Sequence, residues 1–122
     1  SLVPTVDPFL FSFYATPQVG VASSEVEAAL WREIERMQNE PISAAELEKA
    51  IKQTRAQVAF NTESCANQAF WLGSSEILAD TRWFTGYLDR LQAVTIEDVQ
   101  RVARAYLTRS NVTVGVYVAD EK

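Results

Sequence analysis

Histidine is absent from this sequence of 122 residues, and cysteine occurs once, at Cys65. Protein zinc sites draw their ligands from Cys, His and carboxylate side chains, so very little remains here to build one. A lone cysteine cannot form an internal disulfide, and a nucleophilic thiol needs a basic partner that histidine would normally supply. We therefore expect no metal-binding, cofactor-binding or catalytic residue in this chain, and we interpret Cys65 as a small buried apolar residue.

Glycine is also scarce, with four residues, and no glycine-rich phosphate loop, G-x-G-x-x-G motif or G-x-S-x-G elbow occurs. Carboxylates recur at spacing two, as in Glu25 and Glu27 or Glu46 and Glu48, which points them in different directions on a helix. An enzyme that uses carboxylates as acid and base needs two of them with pKa values driven apart by burial. No pair is placed for that role.

Basic charge is low, because 11 Lys and Arg residues face 16 Asp and Glu residues, giving a net charge of −5. This balance opposes the counterion-release binding that basic surfaces give on nucleic acid, so nucleic acid is not an expected partner. No apolar run of membrane-spanning length occurs, and the first 20 residues lack the order of a signal peptide. The absence of an initial Met suggests a processed product or a piece of something longer, and it leaves the compartment, periplasm or cytoplasm, open.

What the sequence does contain is apolar and aromatic: 48% of its residues are hydrophobic, and Phe, Tyr and Trp together make up 11%. This supply predicts one globular domain over residues 1–122 with a substantial core. The tryptophans Trp31, Trp71 and Trp83 could line a groove, but buried aromatic residues are usually packed, and we favour packing.

Two segments alternate with the period of a β-strand. Apolar side chains occupy every second position from Phe9 to Thr16, which Pro8 and Pro17 bracket, and again from Val112 to Val118. Both segments are predicted to be strands.

Between them, apolar residues recur at helical spacing in four or five stretches. Capping boxes at Ser24 and Ser43, with glutamate three positions later, predict the first two helix starts, and Thr95 is a good N-cap for the last helix. Residues 61–79 are predicted to be helical with an interruption near Gly73, and residues 80–93 to form one helix. The predicted fold class is therefore α+β: a strand, four to five helices and a strand, with the helices packed on a sheet.

Several phrases of the chain resemble the insulinase/pitrilysin superfamily of zinc metallopeptidases, and most closely its bacterial members related to mitochondrial processing peptidase. They are FSFYATP at 11–17, VEAALWREIERM at 26–37, ISAAELEKAIKQTRAQ at 42–57, VTIEDVQRVARAYL at 94–107 and VTVGVYV at 112–118. The phrase at 94–107 is the most specific.

The resemblance implies a protein of two similar α+β halves, of which the first carries the inverted zinc motif H-x-x-E-H. This chain resembles the C-terminal portion of the second, non-catalytic half. The family's L-R-x-x-x-G-x-x-Y segment precedes the strand at 9–16 and is not in this sequence, so no functional residue is transferred here. Zinc is expected in the catalytic half, in the same polypeptide or a partner subunit, which makes the parent protein a zinc-dependent metalloendopeptidase.

The expected role of this chain is to help enclose and position a peptide substrate. The alternative is a structural or assembly module with no proteolytic role. Phe11, Phe13 and Tyr14 could reach the chamber wall, but packing within the sheet is favoured. Because an uncovered sheet edge tends to pair with another chain, a homodimer of this fragment is a further expectation.

Overall fold

The computed structural model describes residues 5–7 and 9–117. Over these residues the chain forms two compact units, one from residues 5–7, 9–14 and 43–95 and the other from residues 15–42 and 96–117. Within the described residues there are six α-helices and one short 3₁₀ turn. They are α1 (Ser23–Asn39), α2 (Ala44–Asn61), α3 (Cys65–Leu78), α4 (Thr81–Thr85), α5 (Tyr87–Gln92), α6 (Ile96–Tyr106) and the turn Arg109–Asn111.

The predicted α+β class is wrong, because residues 5–7 and 9–117 contain helices and no β-strand. Phe11 occupies an isolated bridge position, and residues 112–117 are non-helical without belonging to a strand. Pro8 and Val118, which were assigned to the ends of the two strands, lie outside the described residues. The chain is all-α over the part that the structure describes.

The two segments fail as strands for a physical reason. A strand exists only through hydrogen bonds to a neighbouring strand, and alternation of apolar residues does not supply that neighbour. Within residues 5–7 and 9–117, no pair of neighbouring strands is formed by either segment. The side chains that would have faced a sheet are exposed instead, including Phe9 at 67% and Val114 at 49%.

The first unit is built from α2 to α5, in which α2 contacts α5 and α3 contacts α4. The capping box of α2 is confirmed: the Ser43 hydroxyl accepts from the Glu46 backbone N–H (3.2 Å), and the Ser43 N–H donates to the Glu46 carboxylate (2.8 Å). The predicted interruption at Gly73 is absent, because α3 runs through it. The single helix predicted over 80–93 instead divides at Gly86 into α4 and α5.

The second unit is built from α1 and α6, which pack against each other. The predicted cap of α1 is wrong, since Ala22 is its N-cap, without a side-chain hydrogen bond, and Ser24 lies inside the helix. Helix α6 begins directly after Thr95, as its sequence predicts. Its first turn carries Glu97 and Asp98, which suit the positive end of a helix dipole.

Gln38 joins the two helices of this unit. Its side-chain Nε2 donates to the carbonyl oxygens of Ala103 (3.2 Å) and Leu107 (2.7 Å). Its own backbone oxygen accepts from Gln100 Nε2 (3.2 Å) and Arg104 Nε (2.6 Å). One residue near the end of α1 therefore holds the last turns of α6 through four hydrogen bonds.

Burial is concentrated in the second unit. The buried apolar side chains among the described residues are Trp31 and Ile34 of α1 and Ala103 of α6. In the described part of the first unit only Ser75 is buried, with its hydroxyl donating to the Leu72 carbonyl (2.9 Å). The helices of the first unit thus leave most of their apolar side chains at least partly accessible to solvent.

None of the helices over 5–7 and 9–117 combines the length and the apolar character that a membrane crossing requires.

Candidate functional site

A small cavity lies among the four helices of the first unit. Its volume is about 110 Å³, and its lining consists almost entirely of apolar and uncharged side chains. The lining residues are Val58, Asn61, Thr62, Trp71, Trp83, Phe84 and Tyr87. Pockets that bind small ligands usually combine an apolar lining with a few placed polar groups, so the composition suits a binding site.

Contacts between aromatic rings set the walls of this cavity. Trp71 of α3 and Phe84 of α4 are stacked, with ring centroids 6.2 Å apart and an angle of 4° between the planes. Trp83 and Tyr87 lie 6.5 Å apart at a tilt of 50°. All four rings are half-buried. The division of the predicted helix at Gly86 places Trp83 and Phe84 on one helix and Tyr87 on the next.

Polar groups at the edge of the cavity come from the C-terminal end of α2. The Thr62 hydroxyl donates to the Val58 carbonyl (2.8 Å), and the Thr62 carbonyl accepts from Gln68 Nε2 (2.9 Å). Asn61 is exposed, and its Oδ1 accepts from Gln57 Nε2 (3.1 Å). The side-chain N–H₂ group of Asn61 makes no hydrogen bond within residues 5–7 and 9–117, so it is available as a donor.

Sequence reasoning considered Trp71 and Trp83 as groove residues and favoured packing. The structure places both in one cavity wall while leaving each half-buried. The sequence did not lead us to Val58, Asn61 and Thr62 as cavity residues, although their spacing of three and four puts them on one face at the end of a helix. That spacing was the available signal.

A second, shallower cavity of about 380 Å³ lies in the other unit, along α1. Arg109 lies over the Trp31 ring, 4.3 Å from its centroid, and its Nη2 is 2.8 Å from Glu35 Oε1. Arg32 and Glu27 also line the cavity, so its two positive charges are matched by two negative ones. Because the charges balance, the cavity favours neither an anionic nor a cationic ligand. The contacts of Arg109 hold the 3₁₀ turn against α1.

Within the described residues, the cysteine and carboxylate side chains do not come together as a metal-binding site. Cys65 was interpreted as buried, and this is wrong, because it is exposed in the first turn of α3. Over residues 5–7 and 9–117, no group of three or more Cys, Asp or Glu side chains is placed to hold a metal ion. With no histidine in the sequence, the available donors do not fit a zinc centre of the tetrahedral type.

The aromatic residues near the start of the chain are accessible rather than packed in a sheet. Phe11 and Phe13 meet edge to face with centroids 5.1 Å apart, and they are 52% and 47% exposed. Tyr14 is 86% exposed. All three are therefore solvent-accessible side chains of the first unit.

Two exposed carboxylates have lowered pKa values. A hydrogen bond from Lys52, supported by its charge, lowers the pKa of Glu48. A hydrogen bond from Arg82 lowers the pKa of Asp80, which also caps α4 by accepting from the Trp83 N–H (3.0 Å). Both are surface ion pairs of helices and neither points to an acid or base catalyst.

The Asp80 cap makes α4 sensitive to acid. Because the folded-state pKa is lowered, the stabilisation is complete above the unfolded pKa of about 3.9 and is lost as the pH falls through the folded value. We expect the Trp83 amide resonance to titrate with a midpoint below 3.9, the approximate reference value for Asp. An NMR pH titration of the chain measures this, with Asp80→Asn as the control that removes the titration. A midpoint at or above the reference value would contradict the assigned ion pair.

Comparison with known proteins gives a match to a solved structure. No family model matches the sequence, and no curated protein matches it. The fold is similar to the crystal structure of a "putative zinc protease" from Bordetella pertussis Tohama I, with a TM-score of 0.72 and 29% sequence identity. The match covers 84% of this chain but only 57% of the Bordetella chain. The chain is therefore structurally similar to a part, somewhat more than half, of that protein.

Proposed function

We propose that this chain is a non-catalytic domain of a zinc metallopeptidase, which helps to enclose and position a peptide substrate for a catalytic half located elsewhere. The similarity to the Bordetella protein supports the assignment to a zinc metallopeptidase. The single observation that carries the non-catalytic role is the composition: no histidine and one cysteine cannot supply the family's zinc motif. Cleavage would then depend on groups outside residues 1–122.

The accessible apolar surface supports a role that requires a partner. Large apolar side chains are exposed in both units. A soluble domain that exposes many large apolar side chains is suited to contact with another protein, and we assign these side chains to contact with a catalytic half and with substrate.

The same surface also supports the alternative, an assembly module without a proteolytic role. The two functions differ in what accompanies the chain. A peptidase role requires the motif H-x-x-E-H in the same reading frame or in a neighbouring gene, and an assembly role does not. The reading frame that contains this sequence therefore distinguishes them directly.

The experimental test uses the purified chain and then the complete protein. We expect the chain to hold far less than one zinc ion after incubation with zinc and dialysis, and to leave an unfolded protein substrate uncut. In the complete protein, deletion of residues 1–122 should preserve the zinc content of the catalytic half while lowering kcat/KM. Elemental analysis and peptide-cleavage kinetics measure these results.

Two outcomes would overturn the proposal. Stoichiometric zinc in the chain, with proteolysis that EDTA abolishes, would make the chain itself the enzyme. A complete protein that cleaves peptides equally well without residues 1–122 would leave the chain no part in positioning substrate.

Light scattering adds a check on the apolar side chains that are exposed. We expect the isolated chain to self-associate through them. A monomer at all concentrations would count against an uncovered interface.

A further inference from the structure

We propose that the aromatic cavity of the first unit, formed by Val58, Asn61, Thr62, Trp71, Trp83, Phe84 and Tyr87, binds a branched aliphatic side chain of an extended peptide. This inference rests on the proposed function and specifies the class of peptide that the domain would hold. The evidence for this inference is the volume of the cavity, the residues that line it and the polar group at its edge.

The volume limits the size of the occupant. An apolar cavity of about 150 Å³ in a protein interior holds benzene. The present cavity, at about 110 Å³, is smaller. A valine or leucine side chain, which is smaller than an indole ring, suits this volume.

The lining limits the charge of the occupant. Tyr87 is its one titratable residue, and no Asp, Glu, Lys or Arg side chain contributes. A Lys or Glu side chain would lose its hydration here without gaining an ion pair, which is strongly unfavourable. An aliphatic side chain gains by leaving water for a lining that includes Trp71, Trp83 and Phe84.

The edge of the cavity indicates a peptide rather than a hydrocarbon. The hydrogen bond from Gln57 to Oδ1 orients the Asn61 side chain, and its N–H₂ group donates to no residue of the described ranges 5–7 and 9–117. A peptide presents a carbonyl oxygen two bonds from each Cα, so an inserted side chain brings an acceptor close to the cavity edge. Asn61 therefore supplies a second element of recognition beside the apolar walls.

The three tryptophans provide an internal control for the experiment. Trp71 and Trp83 line the cavity, whereas Trp31 lies in α1 of the other unit. We expect the peptide Ac-Gly-Gly-Leu-Gly-Gly-NH₂ to shift the indole N–H resonances of Trp71 and Trp83 in a saturable manner and to leave Trp31 unchanged. The peptides with Gly or Lys at the central position should bind at least tenfold more weakly.

Variants test the same cavity. Val58→Phe fills it from α2 and should weaken binding of the leucine peptide at least tenfold, whereas Phe60→Ser, at an exposed site on the same helix, should change it less than twofold. Asn61→Leu removes the donor and should reduce binding severalfold. If Val58→Phe does not fold, the peptide series on the unmodified chain still decides the question.

Equal binding of the leucine and glycine peptides, or shifts at Trp31 as large as those at Trp71, would overturn the inference. The failure of the cavity differs from the failure of the proposed function. Peptide binding without preference for leucine removes the cavity and keeps a substrate-positioning domain. Leucine-selective binding in a protein whose reading frame lacks H-x-x-E-H keeps the cavity and removes the peptidase role.

Discussion

Replacing Trp31 with alanine is expected to lower the free energy of unfolding by about 3–5 kcal/mol, the range for truncation of a buried large aromatic residue. Trp31 is one of three buried apolar residues in the described chain, at 9% exposure, and it is by far the largest of them. Its removal leaves a cavity in the unit of α1 and α6. It also removes the ring over which Arg109 lies, a cation–π contact contributing about 0.5–1 kcal/mol at an exposed site.

Urea unfolding followed by circular dichroism measures this loss. Tyr117→Ala is the matched control, because Tyr117 is also aromatic but 94% exposed, and its change should stay within about 0.5 kcal/mol. Trp31→Phe should fall between the two, since it keeps part of the apolar volume. Equal effects of Trp31→Ala and Tyr117→Ala would show that the α1–α6 core does not hold this unit together.

Replacing Gln38 with methionine is expected to destabilise the chain by about 1–2 kcal/mol. Methionine preserves the length of the side chain and removes both of its donated hydrogen bonds, to the carbonyls of Ala103 and Leu107. Each lost hydrogen bond of this kind contributes about 1 kcal/mol, with more when the acceptor remains buried. The Ala103 carbonyl still accepts from the Leu107 N–H (3.1 Å), so its share of the loss is the smaller one.

The control for Gln38→Met is Gln57→Met in α2. Gln57 is exposed and donates one side-chain hydrogen bond, to Asn61, four residues later on the same helix. We expect its replacement to change stability by less than about 0.5 kcal/mol. Amide hydrogen exchange should in addition show faster opening of the last turn of α6 in Gln38→Met alone. Similar changes in both variants would mean that the bonds from Gln38 do not couple α1 to α6.

The helices could be predicted from the sequence because their signals are local. Apolar residues at spacings of three and four predict each helix, and the Ser43 capping box predicts the start of α2 correctly. The errors fall where a local signal has two interpretations. Ser24 fits an N-cap but lies inside α1, and Gly73 fits a break but is accommodated within α3.

The candidate site could be predicted only in part. The aromatic residues Trp71 and Trp83 were visible as candidates, but their meeting with Val58 depends on contacts between α2, α3, α4 and α5. Periodicity gives the face of each helix and not the neighbour that the face meets. The exposure of Cys65 was missed for the same reason, since composition gives only the average burial of a residue type.

By itself, the sequence determined the positions of most helices and the absence of a histidine-based zinc site, because these follow from residue identity and from spacing along one chain segment. Only the tertiary structure decided that residues 9–16 and 112–117 form no β-strand within the described chain, and that four helices enclose an aromatic cavity. Both outcomes depend on which distant segments come together. A strand needs a neighbour to complete its hydrogen bonds and a cavity needs several walls, and neither requirement is contained in local sequence.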